Sequence, residues 1–186
     1  MGALVGFAPW IVFWVVAGFQ GFEPAVVAAL VTSAAVLLPD ALHRRVKILD
    51  AGTLISFAVL AVMGLTAEEA WFARYAAPLS NGALALVMLV SILLRQPFVL
   101  QYAREGRPRE LWNEPHFLRA CYVITWVWFA AMLVQTVFTL LVVLVRDQHD
   151  LFRYWIPYGA LLVAFVFTRW YPHHLEAAAR AAAHAH

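Results

Sequence analysis

From Met1 to Pro39 the chain carries one charged side chain, Glu23. A single α-helix over that run would be roughly 57 Å long at ~1.5 Å per residue. The hydrocarbon core of a bilayer is only about 30 Å thick, so the run has to fold back on itself. The reversal is written at Gln20, Gly21, Glu23 and Pro24. Glycine frees the backbone there, and proline suits the first turn of a new helix. Two apolar helices follow from this reading, one over about residues 4–19 and one over about 24–38.

The rest of the chain repeats the pattern. Of its residues, 64% are hydrophobic and 13% charged, against about 25% charged in a typical soluble domain. A core of this length cannot hide that much apolar surface from water, whereas lipid accepts it. Pro39 and Asp40 end the second helix, and a basic loop with His43, Arg44, Arg45 and Lys47 follows. Asp50 can cap a third helix over 51–66. Glu68 and Glu69 return to water, Trp71 and Tyr75 suit the membrane interface, and Pro78 precedes a fourth helix over 79–94. A polar stretch from Arg95 to Glu114 leads to a fifth helix over 115–145, capped by Asn113 or Glu114 with Pro115 in its first turn. Arg146, Asp147, His149 and Asp150 mark its exit. The sixth covers 154–171 and stops before Pro172. The expected architecture is all-α, a polytopic transmembrane bundle of about six helices in a single domain over 1–174. An alanine-rich tail at 175–186, native or added, contains His184 and His186. Five spans instead of six would put the N-terminus on the other side.

Orientation follows from the basic residues, which gather on the cytoplasmic side. With six spans, ten of the 13 Lys and Arg fall on one side: Arg44, Arg45, Lys47, Arg95, Arg104, Arg107, Arg109, Arg119, Arg169 and Arg180. Arg74, Arg146 and Arg153 fall on the other. Both termini are therefore expected in the cytoplasm. The N-terminus has no basic stretch before its apolar run and no A-x-A-like site after it, so a cleaved signal peptide is not expected.

Several chemistries are disfavoured. The net charge of +2 is too small to point to nucleic acid. Cys121 is the one cysteine, which excludes an intrachain disulfide and reads as a packing residue. The histidines show no metal-ligand spacing, and no metal or cofactor is expected. Ionisable groups deep in a bilayer are functional suspects, yet none lies in the middle of an expected span. The polar residues inside are Thr32, Ser33, Thr53, Ser56, Asn81, Ser91, Thr125, Gln135, Thr136 and Thr139. Gln135 lies near the centre of the fifth helix and wants a partner. Interhelical glue is one reading and a polar spot on a solute path is the other, with Asn81, Gln135 and Thr136 as the intramembrane polar candidates. Ala25, Ala29 and Ser33, like Gly52 and Ser56, are spaced by four and suit close helix packing. Phe7, Trp10 and Trp14 form an aromatic stripe.

The segment from Arg95 to Arg119 is the strongest site candidate. Arg95, Arg104, Arg107, Arg109 and Arg119 cluster there with Trp112 among them. Arginine grips phosphate with paired hydrogen bonds, and anionic headgroups attract basic segments at the cytoplasmic face. An ordinary positive-inside loop is the plain alternative. Arg107, Glu110 and His116 would have to carry a lipid-headgroup enzyme, but no established catalytic spacing supports one.

The order of these features resembles the intracellular septation protein A family of bacterial inner-membrane proteins. The resemblance runs through PWIVFWV (Pro9 to Val15), LISFAVLAVMGLT (Leu54 to Thr66), GALALVMLVSILLRQPF (Gly82 to Phe98) and ELWNEPHF (Glu110 to Phe117). The segment QYARE, Gln101 to Glu105, stands outside it. The resemblance implies a noncatalytic, multi-pass inner-membrane protein acting in septation or envelope maintenance through contacts with lipids and membrane-protein partners of the division or envelope machinery. A homo-oligomer is a further candidate assembly. The alternative is a small transporter or channel for a neutral or lipid-like solute, with Gln135 and Asn81 near its path.

Overall fold

The structure, a computed structural model, describes residues 2–43, 46–106, 108–145 and 151–183. Arg44, Arg45, Arg107, Arg146, Asp147, His149, Asp150, His184 and His186 lie outside the described residues. All regular structure among the described residues is helical: α1 (Gly2–Gln20), α2 (Phe22–Leu42), α3 (Ile48–Thr66), α4 (Glu69–Leu93), α5 (Phe98–Ala103), α6 (Pro115–Val145) and α7 (Ile156–Ala183). Two 3₁₀ turns, Arg104–Gly106 and Arg109–Leu111, fill the loop between α5 and α6, and a π-turn, Leu151–Trp155, leads into α7.

Each helix packs on the next, α1 on α2, α2 on α3 and α3 on α4. α6 then packs on α4, with α7 on its other flank, and short α5 wedges between α1 and α6. Gly21 alone joins α1 to α2, with φ at 89°, in the left-handed region that only glycine adopts at no steric cost.

Among the described residues four helices, α2, α3, α4 and α6, are long and apolar enough to cross a membrane, and α1 adds a shorter apolar stretch, Val5–Gln20. Their outward faces stay apolar: Val31, Ile55, Val62, Leu86 and Leu133 are all exposed. Water would penalise such a continuous surface, but lipid does not. The inward faces carry small residues and rings. Ala25, Ala29 and Ser33 are buried together on α2. A β-carbon on Gly52 would come within 2.6 Å of Val87, so α3 and α4 meet more closely than a side chain there allows. Trp10, Phe13 and Phe57 form the aromatic centre, with Trp10 and Phe57 ring centroids 4.5 Å apart.

Four boundaries differ from the sequence reading. α2 runs through Pro39 and Asp40 to Leu42, so neither residue ends it. α4 begins at Glu69 and takes in Trp71, Tyr75 and Pro78. Proline deletes one hydrogen bond of a turn, and a packed membrane helix tolerates that loss. By the same tolerance α7 continues through Pro172. α3 begins at Ile48, so Asp50 sits inside its first turn and does not cap it.

Candidate functional site

The polar stretch after α4 is built onto the start of α3. Arg95 leaves α4 at φ 57°, and Pro97 starts α5, which turns Phe98 and Tyr102 inward to burial. Side chains of the QYARE segment then reach the elbow between α2 and α3. Gln101 Oε1 accepts the backbone N–H of Ile48 at 2.8 Å, satisfying one of the donors a helix start leaves without a partner. The Tyr102 hydroxyl donates to Asp50 Oδ1 at 2.7 Å. Glu105 pairs with Lys47 at 2.9 Å. Lys47 also binds Asp40, lies 3.9 Å from Asp50 and sits 4.9 Å from the Tyr102 ring centroid.

Gly6 of α1 closes this cluster. A β-carbon there would collide with the Tyr102 hydroxyl. The Asp50 side chain is only 2% exposed, and a carboxylate so placed depends on its few partners. Burial, and then the bond to Asp50 and its charge, push the Tyr102 hydroxyl above its ordinary pKa. Burial would lower Lys47, but its bonds to Asp40 and Glu105 outweigh that, and its pKa is raised.

Beyond the anchor, the Arg104 and Arg109 guanidinium groups lie over the Trp112 ring, 5.4 and 5.7 Å from it. Such stacking leaves the guanidinium edges to bind anions. Arg104 Nε is buried and has no hydrogen-bond partner among the described residues. Arg95, Arg109 and Arg119 are exposed at the same end of the bundle, as are Glu110 and His116. Arg107 is outside the described residues.

Most polar residues inside the bundle are satisfied. The hydroxyls of Thr32, Ser33, Ser56, Ser91, Thr125, Thr136 and Thr139 donate to carbonyls of their own helices. Ser91 also accepts the Phe98 N–H, which fastens α5 to the end of α4. Thr53 accepts the Trp10 indole N–H at 2.8 Å. Asn81 and Gln135 are the exceptions. Both are buried, neither side chain makes a hydrogen bond among the described residues, and Asn81 Oδ1 is fully enclosed without a donor.

These two amides line one cavity of about 500 Å³, half-open, between α1, α4, α6 and α7. Phe13, Trp14 and Phe22 wall one side, and Pro157, Tyr158 and Leu161 another. Arg74 lies at the end remote from the basic cluster and donates to the Val143 carbonyl at 2.8 Å. Among the described residues it is the one ionisable lining residue besides tyrosines. Thr136 is not part of the lining and faces Gly82 instead.

The arginine and intramembrane candidates thus fall at two separate places. The Asp50–Tyr102–Lys47 cluster was missed because its members look like an ordinary cap, loop and basic residue. Among the described residues no group of His, Cys, Asp or Glu is placed to hold a metal ion.

The fold and its lipid-compatible surface define a helical membrane protein with a basic, structured loop and a lined interior cavity. Compared with family models, curated proteins and solved structures, the chain matches none. The septation-family likeness therefore rests on the segments quoted for it.

Proposed function

We propose that this is a noncatalytic, six-span protein of the bacterial inner membrane, with both termini in the cytoplasm. It serves septation or envelope maintenance by presenting its 95–119 segment to anionic lipid headgroups or to a membrane-protein partner. The septation role comes from the resemblance. The observation that carries the docking surface is the anchoring of this segment. A loop that merely obeys the positive-inside rule needs charge but no fixed shape. Here Gln101, Tyr102 and Glu105 bind the α2–α3 elbow, and arginines stack on Trp112 beside that anchor. Burying charged groups to hold a loop is costly, which makes sense where the loop's shape is used.

The test is lipid selectivity. Native mass spectrometry of the purified protein with mixed phosphatidylglycerol and phosphatidylcholine should show preferential retention of phosphatidylglycerol. Arg95→Gln, Arg109→Gln and Arg119→Gln should each reduce that preference, by up to about fivefold from about 1 kcal/mol per basic residue. Unchanged selectivity in the triple variant rejects the lipid version. Crosslinked partners that survive replacement of residues 95–119 reject the protein version.

A second reading is favoured by the Asn81–Gln135 cavity. In it the bundle holds a neutral or lipid-like solute on a transport path. Solute flux in proteoliposomes that falls with Gln135→Leu would support transport.

A further inference from the structure

We infer that the cavity between α1, α4, α6 and α7 is a binding site for an uncharged amphiphile bearing a hydroxyl group. The inference rests on the second reading above and names its ligand class; it does not depend on the basic loop. Three observations lead to it.

The first is the hydrogen-bond account. Every other polar side chain singled out in the bundle has a partner, usually a carbonyl one turn back. Asn81 and Gln135 are the two buried amides without a side-chain partner among the described residues, Asn81 Oδ1 being enclosed, and they share one cavity. An amide needs a donor for its oxygen and an acceptor for its N–H. A hydroxyl supplies both at one atom. A methyl ester or ketone supplies only an acceptor, and an ammonium only donors.

The second is charge. Among the described residues no Asp, Glu or Lys lines the cavity. Arg74, the one cation of its lining among the described residues, is already turned to the Val143 carbonyl at 2.8 Å. Asn81 is seven positions after Arg74 on α4, so about two helical turns, roughly 10 Å, lie between them along the axis. A charged head beside the amides would lie far from this one countercharge, in a setting that penalises unpaired ions. An uncharged head carries no such penalty.

The third is shape and wall chemistry. About 500 Å³ is within the range that takes a small organic ligand. Phe13, Trp14, Phe22 and Leu161 give the apolar part of that ligand a dry wall. Polar groups few and convergent in an apolar cleft are the ordinary composition of a ligand pocket.

The test uses the full chain in phosphatidylcholine nanodiscs. The probe is a ten-carbon monoacylglycerol with a diazirine in its acyl chain, photo-crosslinked and mapped by mass spectrometry. Adducts should concentrate on Trp14, Gln135 and Tyr158. Excess unlabelled ten-carbon monoacylglycerol should remove them, and the matching methyl ester should be about tenfold weaker as competitor, the worth of one or two hydrogen bonds. Asn81→Leu should weaken labelling of the cavity by a similar factor. Because the two competitors are compared on the unaltered protein, the result stands even if that variant folds poorly. Adducts confined to the cavity but removed equally by the methyl ester overturn the hydroxyl assignment and leave the second reading in place. Adducts spread over lipid-facing positions such as Leu133 and Trp126, with none enriched in the cavity, overturn both.

Discussion

Tyr102→Phe isolates one of the bonds that fasten the basic loop to the bundle. The substitution keeps the ring under Lys47 and removes one oxygen. What it leaves behind is Asp50, with a side chain 2% exposed and Lys47 as its remaining near partner at 3.9 Å. Hydrogen bonds to charged groups contribute about 1.5–3 kcal/mol, and the cost is larger when a buried acceptor loses its donor. Interhelical hydrogen bonds inside membranes average nearer 0.6 kcal/mol. The Tyr102–Asp50 bond is at the start of α3 and its acceptor is a carboxylate, so the higher scale applies. About 2 kcal/mol is expected, near 30-fold in the folding equilibrium. For a chain of this length that is a fall of about 4–8 °C in Tm, read by thermal unfolding in detergent. The same change in an Asp50→Asn background should cost less, because a neutral acceptor is cheaper to leave unpaired. A Tm within about 1 °C of the parent, or equal losses in both backgrounds, would refute the reasoning.

Gly6→Ala places a β-carbon against the Tyr102 hydroxyl; it should destabilise by a similar amount, and the loss should shrink when combined with Tyr102→Phe. Arg95→Gly relieves a left-handed backbone and should raise Tm, by roughly 1 kcal/mol of stability, while lowering phosphatidylglycerol retention. For pH, the raised pKa values of Lys47 and Tyr102 both give stability that is complete below their unfolded values, about 10.4 and 10, and is lost as pH rises through the folded values. Tm should therefore show no loss from this pair between neutral pH and about pH 10 and should fall above that; Lys47→Gln with Tyr102→Phe should reduce the alkaline fall. Reporter fusions after Ala67 and after Val145 should read as external, and fusions after His43 and after Gly106 as cytoplasmic; any reversal contradicts six spans with cytoplasmic termini.

Much of the fold was legible because lipid makes patterns coarse. The α1–α2 reversal at Gly21 was readable from one glycine and one proline flanked by apolar runs. The bounds of α6 were marked by Pro115 at one end and Arg146 at the other. The start of α4 was not readable, since Pro78 looks like a boundary and Glu69 like the end of a loop. Only packing against α3 and α6 makes the helix continuous there. The same limit applies to the sites. Asn81 and Gln135 stood out as amides in apolar helices, but their shared cavity depends on α1 and α7 closing around them. Asp50 and Tyr102 are 52 positions apart, and nothing local to either announces the other. Gly6 gave no sign of its role, because the atom it makes room for belongs to α5.

The account depends most on hydrocarbon surrounding the outward faces of α2, α3, α4 and α6. Alkaline carbonate extraction of membranes from cells expressing the chain, followed by flotation on a density gradient, tests this directly. The chain should float with the lipid fraction and enter solution only when detergent is added. Its recovery as a dispersed species in the carbonate supernatant would contradict the account.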